Sequence, residues 1–296
     1  MTHTSAFKTH EGQAAYLAAY DAAMQLWTVP YEEIEIPSRF GTTHVVVTGP
    51  KDAQPMVLLH GYMATLTMWS PNIADFNKDY RVYAIDIMGQ PNKSIPNEPI
   101  RDATDFVVWL SATLDGLNLD RISLVGMSHG AWLALNFAMT TPERVRKLAL
   151  LSPFASFLPM SKQFMVRGML MSLIPTRLTV NSFARWLGTK YDPGDTIARY
   201  ALDLMYLGLK HFRIPPETAR IMPSVFSDEK LQALHVPVLL LIGDGEVLYD
   251  PAKALTRARR LIPYFEGELV PGSSHEMTTS QHRIVDARVL DFLNDN

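Results

Sequence analysis

The feature that most constrains the fold is a series of short, largely apolar segments spaced along the chain. Segments of this kind are typical of strands buried on both faces of a parallel sheet. Helix-like stretches separate most of them, and strands that alternate with helices predict an α/β fold with a mostly parallel central sheet flanked by helices. The segments lie at residues 56–59, 81–85, 122–125, 148–151 and 238–242.

The N-terminal part of the chain departs from this alternation. Residues 11–27 contain strong helix formers with apolar side chains at helical spacing, and Pro30 ends the predicted helix. The stretches 31–36 and 43–47 alternate apolar and polar residues, so we predict an antiparallel hairpin before the parallel strands begin.

A long interval in the second half of the chain lacks a buried strand. Residues 154–235 are apolar, helix-like and interrupted by prolines, which predicts an inserted helical cap. We therefore expect a core domain of residues 1–153 and 236–296, with the cap above the carboxyl ends of its strands. Met and aromatic side chains of the cap either line a substrate pocket, which we favour, or only pack the cap against itself. The aromatic ones include Phe164, Trp186, Tyr206 and Phe212.

A G-x-S-x-G sequence at residues 126–130 lies between a predicted strand and a predicted helix. A turn this tight strains the backbone of Ser128 and holds its hydroxyl at a helix N-terminus, with the two glycines making room. The alternative is an inert serine in a buried turn. A serine hydroxyl is a poor nucleophile at neutral pH, so Ser128 needs a neighbouring base.

The predicted base is His275, in a loop that follows a strand-like segment. Such loops lie at the carboxyl edge of an open α/β sheet, where catalytic groups collect. A third residue must orient the imidazole, and the loop after residues 238–242 offers Asp244, Glu246 and Asp250. Asp250 precedes a proline and fits a helix N-cap. We favour Glu246, with Asp244 as the alternative because its position suits a local turn.

The remaining requirement of acyl transfer is a pair of donors for the oxyanion. The loop after residues 56–59 begins His-Gly-Tyr, and we predict that the backbone N–H of Tyr62 acts together with that of His129. The chain order Ser128, Glu246, His275 is the serine–acid–histidine order of one hydrolase fold.

With these motifs the chain resembles the α/β-hydrolase family over nearly its whole length, so the expected architecture is the α/β-hydrolase fold with an inserted helical cap. Residues 242–251 and 261–272, with the N-terminal Ala/Tyr-rich helix, resemble the carboxylesterase NP (naproxen esterase) group of bacilli. The resemblance implies carboxylic-ester hydrolysis and a glutamate acid, which falls on Glu246. Met63-Ala64 departs from the proline of many related esterases and perhydrolases, so perhydrolase activity is not expected.

The expected function is therefore a serine carboxylesterase that hydrolyses small to medium hydrophobic esters through an acyl-enzyme. Two enzymatic alternatives use the same three residues: a carbon–carbon bond hydrolase and a thioesterase. A third alternative, from a different class, is a ligand receptor that keeps the fold and catalyses weakly.

The composition argues against several other functions. The chain has no Cys, and no metal- or nucleotide-binding motif, so we expect neither a metal nor a cofactor. With 27 basic and 30 acidic residues, the chain lacks the excess of positive charge that is typical of nucleic-acid-binding proteins. The uncharged run 122–142 contains Gly, Ser, His and Asn, so we expect no membrane span. The start of the chain lacks the pattern of a signal peptide, and we expect a cytoplasmic monomer or small homo-oligomer.

Overall fold

The computed structural model describes residues 6–189 and 195–295. Within these ranges the central sheet has nine strands. They are β1 Glu32–Ser38, β2 Gly41–Thr48, β3 Gln54–Leu59, β4 Tyr80–Ile85, β5 Ile95–Pro96, β6 Ile122–Met127, β7 Val145–Leu151, β8 Val238–Gly243 and β9 Phe265–Val270.

The helices of the described ranges surround this sheet, and none of them has the length and apolar character needed to cross a membrane. They are α1 His10–Met24, α2 Ile73–Phe76, α3 Ala103–Gly116, α4 His129–Thr140, α5 Lys162–Leu173, α6 Arg177–Leu187, α7 Thr196–His211, α8 Pro216–Ala219, α9 Asp228–Gln232, α10 Pro251–Leu261, α11 Met277–Ser280 and α12 His282–Asn294, with short 3-10 helices at Leu66–Trp69 and Pro142–Arg144.

The strands follow the order β1-β2-β4-β3-β6-β7-β8-β9, and β5 pairs with β2 at the side. The pairs β1–β2 and β2–β4 are antiparallel. Every pair from β4 to β9 is parallel. The predicted apolar segments lie in β3, β4, β6, β7 and β8, and the predicted hairpin is β1–β2. The expected α/β class with a mostly parallel sheet is confirmed.

Helices cover both faces of the sheet and create two apolar cores. Val57 of β3 packs in the core beneath α3, α4 and α10, while its neighbour Leu58 packs in the core beneath α1 and α12. Both side chains are fully buried, as alternation along a strand with two covered faces requires. This burial explains why the strands read as apolar runs.

Helix α1 ends at Met24, before the predicted end at residue 27, and packs against α7. Two buried tyrosines of α1 anchor the loop that follows β4. Tyr16 donates a hydrogen bond to the carbonyl oxygen of Pro91 at 2.5 Å, and Tyr20 donates to Asp86 at 2.8 Å. Asp86 also accepts the backbone N–H of Leu66, so the loops after β3 and β4 are fixed to each other.

Between β7 and β8 the described residues form helices α5 to α9 and no strand of the sheet. Side-chain caps begin the longer of these helices: Ser161 caps α5, Thr176 caps α6 and Asp195 caps α7. Helix α6 ends at Leu187 and is capped by Gly188, whose φ of 106° is a left-handed conformation that favours glycine.

Candidate active site

The turn between β6 and α4 holds Ser128 in a strained conformation, with φ 54° and ψ −112°. Its two glycines are required by close backbone contacts. A Cβ atom on Gly126 would lie 2.5 Å from the carbonyl oxygen of Gly130. A Cβ atom on Gly130 would lie 2.3 Å from the carbonyl oxygen of Leu59. Any larger residue would push the turn apart, so the local sequence sets the position of the Ser128 hydroxyl.

The structure brings the three predicted side chains into one hydrogen-bonded chain. Nε2 of His275 lies 2.9 Å from Oγ of Ser128. Nδ1 of His275 lies 2.8 Å from Oε2 of Glu246. All three residues are buried, so the hydrogen bonds are shielded from water. A carboxylate can only accept, and therefore Nδ1 carries the proton and Nε2 is free to accept one from the serine.

The second carboxylate oxygen of Glu246 is held by its own loop. Oε1 accepts the backbone N–H of Val247 at 2.8 Å and that of Leu248 at 3.0 Å. These bonds fix the carboxylate and leave Oε2 pointing at the imidazole.

The other two acids of this loop have local roles. Asp244 is exposed and accepts the backbone N–H of Gly272 at 3.1 Å, which links it to the neighbouring turn. Asp250 caps α10 by accepting the N–H of Lys253 at 3.0 Å, as its position before a proline predicts. Neither acid hydrogen-bonds to His275.

Burial and the interaction between Glu246 and His275 shift the pKa of each residue in opposite directions. Burial raises the pKa of the Glu246 carboxyl, but the charge and hydrogen bond of His275 outweigh it and leave the pKa below its ordinary value. Burial lowers the pKa of His275, but the carboxylate of Glu246 outweighs it and leaves that pKa above its ordinary value. The pair therefore favours an ionised acid next to an imidazole that readily takes up a proton.

The two predicted oxyanion donors belong to segments next to Ser128. His129 is the first residue of α4, so its N–H has no partner within the helix. Tyr62 lies in the loop after β3, and a Cβ on the preceding Gly61 would lie 3.7 Å from Cβ of Ser128. The rings of Tyr62 and His129 are also in contact, with centroids 5.8 Å apart.

Gln90 joins these two donor segments, and the sequence analysis missed it. Its Oε1 accepts the backbone N–H of Met63 at 2.8 Å, and its Nε2 lies 3.2 Å from Nδ1 of His129. The amide donates in the second contact because burial lowers the pKa of His129 to about 3 and keeps the ring neutral. A sequence signal existed, since Gln90 follows the carboxyl end of a predicted parallel strand.

His60 links the loop that carries Tyr62 to the loop that follows β4. Its Nδ1–H donates to the carbonyl oxygen of Gly61 at 2.8 Å, and its Nε2 accepts the N–H of Ile87 at 2.9 Å. Burial lowers the pKa of His60, which suits a neutral ring with one donor and one acceptor. The loop that carries Tyr62 is thus held by two side chains, Gln90 and His60.

A cavity of about 420 Å³ opens above Ser128 and His275. Its other lining residues are mostly apolar, and no Lys or Arg is among the described ones. Many come from the interval between β7 and β8, and these include Phe164, Met165, Met169, Met171, Phe183, Leu187, Leu204, Met205 and Met222.

Of the four aromatic residues named from the sequence, Phe164 lines the cavity and the other three do not. Trp186 packs behind Phe164, with ring centroids 6.4 Å apart. Tyr206 lies beneath Lys210, whose Nζ is 5.3 Å from the ring centroid. Phe212 packs edge-on against Phe7, at 5.1 Å between centroids. The side chains of these three residues pack the helices against each other or against the N-terminal segment, so of the four aromatic residues only Phe164 agrees with the favoured pocket lining.

Within the described residues no group of three or more His, Asp or Glu side chains is arranged to hold a metal ion.

The fold and this site define the class of the protein. A family model described as alpha/beta hydrolase fold matches residues 54–277, and the chain belongs to that family. It is 37% identical to the uncharacterized carboxylesterase nap of Bacillus subtilis (strain 168), over 94% of this chain and 92% of that protein. It is 34% identical to carboxylesterase YbfK of the same organism, over 97% of this chain and 96% of that protein.

A solved structure agrees with these relatives. The crystal structure of naproxen esterase (carboxylesterase NP) from Bacillus subtilis superposes with a TM-score of 0.91 at 36% identity, and the match covers 97% of this chain and 100% of that chain. The resemblance read from the sequence is confirmed.

Proposed function

We propose that this protein is a serine carboxylesterase that hydrolyses small to medium hydrophobic carboxylic esters through an acyl-enzyme. The observation that carries the proposal is the hydrogen-bonded chain from Ser128 through His275 to Glu246 at the floor of an apolar cavity. The names of the two Bacillus relatives support the same activity.

Acylation begins when Oγ of Ser128 attacks the ester carbonyl carbon and His275 Nε2 accepts the serine proton. Glu246 keeps the reactive tautomer and stabilises the imidazolium that forms. The N–H groups of Tyr62 and His129 donate to the oxyanion, and each such donor contributes about 3 kcal/mol to transition-state stabilisation. The N-terminus of α4 adds a favourable dipole at the same place.

Collapse of the tetrahedral intermediate completes the exchange of groups. His275 returns the proton to the leaving alkoxide, and the acyl group stays on Ser128. His275 then removes a proton from water, which attacks the acyl-enzyme and releases the carboxylic acid and the free serine.

The lining of the cavity supports a neutral, hydrophobic substrate. Apolar walls favour an alkyl or aryl group on the acyl or alcohol side of the ester. Among the described lining residues, Glu276 has the one acidic side chain. None of these residues is a Lys or Arg that could neutralise a substrate carboxylate. Burial raises the pKa of the Glu276 carboxyl, because a low-dielectric environment disfavours its charged form.

We propose further that residues 154–235 act as a cap on a core made of residues 1–153 and 236–296. Supporting this division, α5, α6 and α7 contribute side chains to the roof of the cavity, whereas Ser128 and His275 lie on its floor at the sheet. A roof made of helices separate from the sheet can vary in shape without disturbing the catalytic loops.

The activity test is turnover of a p-nitrophenyl ester series by wild type and by Ser128→Ala. We expect turnover to fall by at least about 10³-fold in the variant, because the nucleophile is lost. Ser172→Ala is the matched control, since Ser172 lines the cavity but hydrogen-bonds to neither His275 nor Glu246. An organophosphate should label wild type once per chain.

Residual activity of a folded Ser128→Ala protein within tenfold of wild type would rule out the serine mechanism. A thioester and a vinylogous diketone should be assayed beside the esters. Faster turnover of either would assign the same three residues to a thioesterase or to a carbon–carbon bond hydrolase.

A further inference from the structure

Helix α5 exposes an apolar stripe that nothing in the described structure covers. Its members recur at helical spacing, so they lie on one side of the helix. They are between 46% and 73% exposed, which is unusual for large apolar side chains grouped together. The stripe consists of Met165, Val166, Met169, Leu170 and Leu173, and the nearby Ile174 and Leu178 extend it to the start of α6.

The charge around this stripe has a single sign. Residues 162–187, which form α5 and α6, contain four basic residues and no acidic residue. Arg177 pairs with Asp203 of α7. The other three, Lys162, Arg167 and Arg185, are exposed and form no ion pair with described residues. The α5–α6 helix pair is therefore both apolar and cationic at its surface.

The rest of the molecule has the opposite charge. Residues 154–235 contain ten basic and six acidic residues, whereas the remaining chain contains 17 basic and 24 acidic residues. The net charge of −3 is thus the sum of a positive net charge on residues 154–235 and a larger negative net charge on the rest of the chain. An anionic surface would attract the molecule in one orientation, with the α5–α6 pair facing it.

We propose that the α5–α6 helix pair is a docking surface for the anionic headgroup region of a lipid bilayer. A helix with an exposed apolar side and flanking Lys and Arg lies in the interface, with its apolar side chains inserted below the headgroups. Each cation near such a surface contributes about a fivefold gain in binding, and burial of the stripe adds the hydrophobic term.

A second copy of the chain fits this surface less well. Two α5–α6 pairs face to face would bring their unpaired cations together without any acid from the same segments to neutralise them. Like charges opposed across an interface disfavour association. The bilayer supplies the missing negative charge and the apolar medium at once.

The position of the stripe links this surface to the cavity. Met165 and Met169 belong to the stripe, and both also line the cavity above Ser128. On a docked molecule the α5 side of the cavity faces the bilayer, so an ester dissolved in the membrane would reach the cavity through that side.

Vesicle flotation with the full chain tests the proposal. We expect binding to vesicles of phosphatidylglycerol mixed with phosphatidylcholine, little binding to pure phosphatidylcholine, and weaker binding as salt rises. Lys162→Gln with Arg185→Gln should lower the partition coefficient about 25-fold, from about fivefold for each cation. Val166→Ser with Leu173→Ser should lower it at least about tenfold.

The controls separate surface chemistry from folding and from catalysis. Val166 and Leu173 do not line the cavity, so hydrolysis of a short dissolved ester should be unchanged in that variant. Val108→Ser with Ile284→Ser removes exposed apolar side chains of α3 and α12 and should leave vesicle binding unchanged. Binding is the readout, so the result does not depend on the proposed esterase activity.

Three results would overturn the proposal: no flotation with anionic vesicles at low salt, equal binding to neutral vesicles, or equal loss of binding in the Val108 and Ile284 control. A concentration-dependent dimer in sedimentation that Val166→Ser with Leu173→Ser abolishes would assign the surface to a second copy instead.

Discussion

Replacing Glu246 by glutamine tests which acid orients the histidine, and the structure sets the expected size of the effect. The new amide has two orientations. In the first, its oxygen keeps the bonds from the N–H groups of Val247 and Leu248, and its NH₂ faces Nδ1 of His275. In the second, the NH₂ faces those two N–H donors, which costs two hydrogen bonds at about 1 kcal/mol each.

The first orientation is therefore favoured by about 2 kcal/mol, or roughly 30-fold. An NH₂ group facing Nδ1 makes that nitrogen an acceptor and moves the ring proton to Nε2, opposite Ser128. His275 then cannot accept the serine proton. We expect kcat to fall about 10⁴-fold, equivalent to about 5 kcal/mol in the barrier, with KM little changed.

The matched control is Asp244→Asn, in the same loop and with the same change of carboxylate to amide. Asp244 is exposed and only accepts the N–H of Gly272, so kcat should stay within about tenfold of wild type. Steady-state kinetics on one p-nitrophenyl ester, with thermal melts of both variants, measure the difference. A larger loss in Asp244→Asn than in Glu246→Gln would refute the assignment of Glu246.

Other predictions concern groups around the site and in the core. Because the carboxylate of Glu246 raises the pKa of His275, the acid limb of kcat/KM should have its midpoint above about pH 6.5, and a midpoint clearly below that would contradict the pairing. Gln90→Leu should lower kcat at least about tenfold while KM changes less, since the donor loop loses its link to His129; a change confined to the melting temperature would show a purely structural role. Burial raises the pKa of Asp286 to about 7, although Asn72 donates a hydrogen bond to it. Because its neutral form is favoured in the fold, its contribution to stability is full below the unfolded pKa and is lost as pH rises through 7. The unfolding free energy of Asp286→Asn relative to wild type should therefore rise by up to about 3 kcal/mol from about pH 5 to about pH 9. Chemical denaturation of both proteins at the two pH values measures this change. A difference between the proteins that is the same at both pH values would contradict the reasoning.

The sequence by itself determined the parallel sheet and the turn that carries Ser128. Strands buried on both faces are apolar at nearly every position, so β6 and β8 can be recognised in the sequence as largely apolar runs. The turn at Ser128 can be recognised in the sequence because its geometry leaves no room for a side chain at positions 126 and 130, and glycine is the residue without one.

The sequence narrows the acid that faces His275 to a few candidates, and the tertiary structure distinguishes between them. Asp244 and Glu246 are two residues apart, and both follow the same strand. Local sequence does not fix which of them points toward a histidine 29 residues further along the chain. The positions of the acids in the loop and the family resemblance both favoured Glu246, and the folded loop agrees with that choice, because its N–H groups hold one carboxylate oxygen and leave the other facing His275.

Only the tertiary structure decided the contacts between distant loops and the surface of the helices between β7 and β8. Gln90 reaches His129 across 39 residues because parallel strands β4 and β6, on either side of β3, end at one edge. Trp186 and Phe164 are both aromatic residues of the helices between β7 and β8, yet Phe164 lines the cavity and Trp186 packs behind it. Composition gives a segment's tendency to be buried, but the orientation of each helix decides which side chains face a cavity, a neighbouring helix or solvent.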